Sequence, residues 1–96
     1  VTLPIGLGPG VGDELWRIAR WYESRRPGHG REFLECFRSA AEHAAAFPTS
    51  GPTVTPLIRR RPLRRFPYSL FYVVHDGGIV VLSVRHQARR SRDWPL

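Results

Sequence analysis

The side chains with the clearest capacity for chemistry are arginines, and they are unevenly spread. Arg59, Arg60, Arg61, Arg64 and Arg65 crowd one short stretch, and Arg85, Arg89 and Arg90 another near the end of the chain. A guanidinium is planar, permanently charged and able to donate two parallel hydrogen bonds to one phosphate or carboxylate. Grouped in this way, the arginines could grip a polyanion or an acidic protein, with a well-solvated basic surface as the plainer alternative. His86 follows Arg85 and adds an imidazole able to exchange a proton near neutral pH. If the chain cleaves a phosphodiester, Arg65 and His86 are the candidates for the chemistry, with cations stabilising the charged phosphate in the transition state.

Other chemistries find less support. His29, His43, His75 and His86 share no close ligand spacing with one another or with Cys36, so neither a metal nor a cofactor is expected. Cys36 lies beside Phe37 in an apolar helical stripe and reads as a small core filler. The glycines from Gly6 to Gly12 lack the Gly-Lys-Ser/Thr ending of a phosphate loop. Trp16, Trp21 and Tyr22 read as packing residues rather than a base-stacking platform.

Positioning these groups falls to a short chain. Its 96 residues, 42% of them hydrophobic, suffice for one compact domain spanning 1–96 and not for two. All 15 basic residues are arginine, against 8 acidic ones, giving a formal net charge of +7. That field favours nucleic acid or an acidic protein as partner. A lone cysteine excludes an internal disulfide framework, and no apolar run approaches the roughly 20 residues that span a bilayer, so a cytoplasmic protein is expected.

Hydrophobic periodicity divides the chain in two. Residues 1–7 suggest a short strand whose Pro4 must lie at a sheet edge, because proline donates no ladder hydrogen bond. A helix opens at Gly8-Pro9, with Leu15, Ile18, Ala19 and Tyr22 at helical spacing, and stops at Arg26-Pro27-Gly28-His29-Gly30. A second helix starts near Arg31, carries Phe33, Phe37, Ala40, Ala44 and Phe47 on one face, and ends at Pro48. The short turn between them predicts an antiparallel hairpin over 9–47. After a polar loop the period changes: Leu57–Arg65, Tyr68–His75 and Ile79–His86 read as three strands of an antiparallel meander, the last two joined tightly by Asp76-Gly77-Gly78. The unbroken apolar runs at 70–74 and 79–82 predict burial on both faces. Residues 87–96 read as a basic tail anchored by Trp94. The fold class is thus α+β: a short N-terminal edge strand and a two-helix hairpin packed on a three- to four-stranded antiparallel sheet.

Within that order stand Trp21-Tyr22-Glu23-Ser24-Arg25-Arg26-Pro27-Gly28 in the hairpin, Phe33-Leu34 opening the second helix, and Arg64-Arg65-Phe66-Pro67-Tyr68 entering an aromatic strand. Val84-Arg85-His86-Gln87 then precedes an arginine-rich end with Trp94. Together they resemble the RelE/ParE toxin superfamily over nearly the whole chain. The resemblance implies a plasmid-stabilisation type of toxin, held in a hetero-oligomer by a cognate acidic antitoxin and freed to arrest growth. It also implies one of two targets: DNA gyrase, inhibited by protein–protein binding in ParE-like members, or messenger RNA cut on the ribosome in RelE-like ones.

The residues favour gyrase. No carboxylate occurs between Glu42 and Asp76, where one nuclease branch supplies a base, and no tyrosine follows Tyr72. A placed acid or base contributes about 10²–10⁴-fold, so the loss of both weighs against an endoribonuclease. A non-catalytic basic nucleic-acid-binding module is the third possibility. In every reading, Arg59, Arg60, Arg61, Arg64, Arg85, Arg89 and Arg90 are the expected target- or phosphate-binding residues.

Overall fold

The computed structural model describes residues 4–88. Six elements follow in order: β1 (Ile5–Leu7), α1 (Val11–Arg25), α2 (His29–Ala46), β2 (Arg59–Pro62), β3 (Tyr68–His75) and β4 (Gly78–His86). The sheet order is β1-β4-β3-β2, with both helices on one face. No helix among the described residues is long and apolar enough to cross a membrane.

The helical hairpin forms as its sequence predicts. Val11, Leu15, Ile18 and Ala19 of α1 are buried, as are Phe33, Phe37, Ala40, Ala41, Ala44 and Ala45 of α2. Where the sequence places the second start near Arg31, α2 begins two residues earlier, because Glu23 caps it. The Glu23 carboxylate accepts the Gly28 N–H at 2.9 Å and the Gly30 N–H at 3.0 Å, satisfying amides that a helix start leaves orphaned. Gly30 also sets the distance between the helices: a Cβ there would lie 2.5 Å from the Ala19 carbonyl oxygen.

Three departures from the expected sheet have physical reasons. It is mixed rather than wholly antiparallel, since β1 runs parallel to β4, Ile5 beside Ile79 and Leu7 beside Val81. The two helices cancel each other's travel and the 47–58 connection brings the chain back, so β1, β2 and β4 all run the same way. The first meander strand is Arg59–Pro62, not Leu57–Arg65. Thr55 turns the chain before it, accepting from Ile58 N–H at 3.2 Å through its hydroxyl, and Pro62 has no N–H to extend the ladder. Burial on both faces holds for Leu70, Phe71 and Tyr72 but fails for Val74, which is half-exposed.

β3 and β4 pair from Tyr68 opposite His86 to His75 opposite Gly78, with Leu82 bulged out between Phe71–Ser83 and Tyr72–Val81. Asp76 (φ 49°) and Gly77 (φ 75°) form the tight turn, both left-handed as a two-residue hairpin requires. Leu70, Tyr72, Ile79, Val81 and Val84 face the helices. Trp16 and Trp21, expected to pack, instead stand on the outer face of α1 with 59% and 52% of their surface exposed. Trp94, with the rest of 89–96, lies outside the described residues.

Two outcomes follow. Gly30→Ala should destabilise the protein by about 2 kcal/mol in urea denaturation, the overlap with Ala19 exceeding the helix-propensity gain. The two amides hold the Glu23 carboxyl below the ordinary glutamate value of 4.5. Its stabilisation is therefore complete above that value and is lost as the pH falls through the lower folded one. Glu23→Gln should flatten the melting-temperature profile in that acidic window and leave its shape at neutral pH unchanged.

Candidate functional site

The arginine stretch that dominates the sequence divides three ways. Strand alternation turns Arg59 and Arg61 of β2 towards the helices and Arg60 to the other face. Arg59 donates from Nη1 to the carbonyls of Thr49 (3.1 Å) and Gly51 (2.7 Å). Arg61 reaches Ser50 Oγ at 2.6 Å through Nη2 and His43 Nδ1 at 2.7 Å through Nη1. A guanidinium only donates, so His43 Nδ1 accepts and its ring proton sits on Nε2. These two side chains peg the connection leaving α2, beside the Tyr72 hydroxyl, which donates to the Pro48 carbonyl at 2.8 Å. They are structural before they are anything else.

Arg64 and Arg65 lie in the turn between β2 and β3, and the motif around them has an evident purpose. Phe66 is buried against Tyr22 (ring centroids 4.8 Å apart) and Phe33 (5.4 Å). Tucking it under the helices takes a left-handed residue before it, and Arg65 supplies this at φ 71°. Few non-glycine residues adopt that conformation, and strain of this kind often marks functional turns. Both guanidiniums point outward into a groove of about 670 Å³ beside α2, whose opposite wall carries Glu32, Glu35 and His43.

Arg60 stands exposed on the far face, opposite Phe71 in register. Arg85 shares that face, its guanidinium 5.8 Å from the Phe71 ring and its side chain largely buried. Arg89 and Arg90 lie outside the described residues.

His86 ends β4 at a second groove, of about 430 Å³, between the start of α1 and the sheet. Its ring meets Tyr68 edge-on at 5.2 Å, and its Nδ1 accepts the Ala88 N–H at 3.1 Å, leaving Nε2 to the groove. Glu14 and Arg17, paired with each other, line the same groove with Arg85. Burial, and next the Glu14 carboxylate, push the Tyr68 hydroxyl above the usual tyrosine value, so it stays protonated at neutral pH. The His86 imidazole thus has neighbours able to carry protons. Tyr68 was findable from the strand register; Glu14 was not, being contributed by the first helix. Arg65, the other catalytic candidate, lines the first groove and is not brought to His86.

The remaining imidazoles are dispersed. His29 packs between Tyr22 and Phe66, and His75 contacts Asp76 in the hairpin. No group of three potential metal ligands gathers among the described residues.

A helical hairpin laid on a short sheet, with arginines at the sheet's turn, edges and outer face, defines a small basic toxin domain of the RelE/ParE superfamily. Comparison with known proteins narrows this. The chain belongs to the family described as the ParE toxin of type II toxin–antitoxin systems, parDE, which matches residues 9–91. It is a toxin of that class. A solved structure described as the chromosomal ParDE TA system from P. aeruginosa has the same fold, with a TM-score of 0.75 and 18% identity; the alignment covers 88% of this chain and 96% of that one. No curated protein matches.

The division of the arginines is open to test. Arg59→Ala should cost about 1–3 kcal/mol in urea denaturation, because two carbonyls lose a charged donor. Arg60→Ala and Arg64→Ala should change stability by no more than about 0.5 kcal/mol.

Proposed function

We propose that this toxin arrests growth in the cytoplasm by binding DNA gyrase, acting as a protein inhibitor and not as an enzyme, and that a cognate acidic antitoxin neutralises it. The observation that carries the reading is the separation of Arg65 from His86. A phosphodiester-cleaving site needs its transition-state cation and its proton carrier on the same phosphate. Here the two face different grooves. The cations that remain at the surface, Arg60, Arg64 and Arg65, suit recognition of carboxylates on a protein partner. The P. aeruginosa structure, described as a ParDE system, supports an antitoxin partner of the same kind. The net charge of +7 adds long-range attraction to an acidic one. Plasmid stabilisation is the biological role that fits such a pair.

One observation favours a second reading. Glu14, Arg17, Tyr68, Arg85 and His86 share a groove, and together they offer proton carriers and cations for cutting ribosome-bound messenger RNA. Direct, sequence-independent binding of nucleic acid is a third, with affinity falling steeply as salt rises.

The three separate experimentally. The purified chain is expected to inhibit plasmid supercoiling by gyrase, with the acidic protein encoded beside it restoring activity at equal stoichiometry. On induction in cells, DNA synthesis should fall before translation. Ribosome-dependent cleavage of messenger that drops about 10²-fold or more in His86→Ala would overturn the gyrase reading in favour of the nuclease.

A further inference from the structure

The sheet has two faces, and the helices account for the burial of only one. Ser69, Phe71 and Val73 of β3 and Val80, Ser83 and Arg85 of β4 point away from α1 and α2. Towards the Asp76-Gly77 hairpin this outer face is half-open, with Val73 and Val80 partly exposed. At the opposite end it is closed. Ser69 is buried, Phe71 keeps 5% of its surface exposed and Arg85 7%. The Ser83 hydroxyl is also sealed from solvent, with no hydrogen-bond partner among the described residues. Arg85 shields one side of the Phe71 ring at 5.8 Å, yet it is itself buried, so both lie beneath something further. This burial exists within a single chain, and the cover must therefore come from that chain.

Most of the chain is placed elsewhere. Both helices pack on the inner face, and the 47–58 connection is pegged on that side by Arg59 and Arg61. Phe66 draws the β2–β3 turn under the helices. Residues 1–3 precede Pro4, whose carbonyl accepts the Ile79 N–H at the hairpin end of β4. Six strand residues, about 20 Å, separate Ile79 from Arg85, and three residues reach only about 10 Å. The segment 89–96 remains. It leaves from Ala88, at the very end of the sheet where burial is deepest. Trp94 is six residues on, a reach of up to about 20 Å, enough to return over Arg85 to Phe71.

Charge points to the same segment. A buried guanidinium is strongly destabilising unless it is paired. Asp13, Glu14, Glu23, Glu32, Glu35 and Glu42 belong to the helices on the other face, and Asp76 to the distant hairpin. Of the chain's eight carboxylate side chains, that leaves Asp93. We propose that the outer face of the sheet is the docking surface for the chain's own C-terminal segment, which folds back to seat Trp94 against Phe71 and Asp93 at Arg85. Residues 89–92 then form an arginine-bearing loop held at both ends, beside His86. The inference is independent of the toxin's target, since it rests on burial, reach and charge within one chain.

Trp16 and Trp21 are exposed on α1, so Trp16→Phe with Trp21→Phe leaves the fold intact and Trp94 as the only indole. In that chain Trp94 should emit at shorter wavelength than Trp16 and Trp21 do in a Trp94→Phe chain, and acrylamide should quench it less. Proton NMR should show direct contacts between the Trp94 and Phe71 rings. Trp94→Ala should lower the folding equilibrium constant roughly tenfold or more. The cost of Asp93→Asn should shrink about tenfold once Arg85→Gln is present, as coupled partners require. An indole as exposed and as readily quenched as Trp16 and Trp21, without contacts to Phe71, overturns the proposal even if the substituted chains fail to fold. Additive effects of Asp93→Asn and Arg85→Gln remove the ion pair. Burial of Trp94 that appears only at concentrations where the chain dimerises assigns the face to a second copy and overturns it as well.

Discussion

Tyr22, Phe33, Phe66 and Tyr68 come from α1, α2, the β2–β3 turn and β3, and their rings meet at centroid distances of 4.8 to 6.4 Å. Aromatic pairs in such edge-on and offset arrangements contribute about 0.5–1.5 kcal/mol each beyond the area they bury. Position matters more here than energy. Phe66 can reach the cluster only if the chain bends back at Arg65, and that bend throws Arg64 and Arg65 outward. Tyr68 can reach it only at the start of β3, which sets it opposite His86 and thereby fixes where the second groove opens. Both candidate grooves are therefore placed by the same hydrophobic junction, one on either side of it.

The arginines then serve two ends that a count of charge cannot separate. Arg59 and Arg61 replace the regular hydrogen bonding that the connection from Phe47 to Ile58 lacks, donating to carbonyls, a hydroxyl and an imidazole spread over Thr49, Ser50, Gly51 and His43. A lysine could not do this as well, because its point charge lacks the fixed fork that reaches two acceptors at once. Of the candidate arginines, those left at the surface are fewer than the sequence suggests: Arg60 on the outer face, and Arg64 and Arg65 at the turn.

Much of the fold was legible because it follows from local pattern. The stripe through Phe33, Phe37, Ala40 and Ala44 specifies a helix face, and Asp76-Gly77 specifies a turn in which both residues have positive φ. The motifs that carry the family resemblance are legible in hindsight as hairpin and turn chemistry: Tyr22 packs, Glu23 caps, Gly28 turns, Phe66 plugs. What the sequence concealed was non-local. Parallel pairing of β1 depends on where the chain returns after α2. The exposure of Trp16 and Trp21 follows from α1 burying the opposite stripe, and Arg25 lies 4.6 Å over the Trp21 ring on that outer side. At the candidate site, the grouping of residues was not available from the sequence: Arg59 and Arg61 turned inward by alternation, and Glu14 joined His86 only through the packing of α1 against β4.

Strand edges are where a small sheet is vulnerable to unwanted pairing, and this one protects its edges unequally. At β2, the Thr53–Arg59 bridge, the Arg60 N–H donating to the Pro52 carbonyl and the missing N–H of Pro62 leave little for another strand to use. At β4, coverage by β1 stops at Val81, and no other strand among the described residues pairs with the stretch from Leu82 to His86 on that side. The net charge of +7 opposes the approach of another copy of the chain to that stretch. Long-range repulsion between copies can thus guard an edge that the fold leaves uncovered, where β2 relies on proline and local hydrogen bonds.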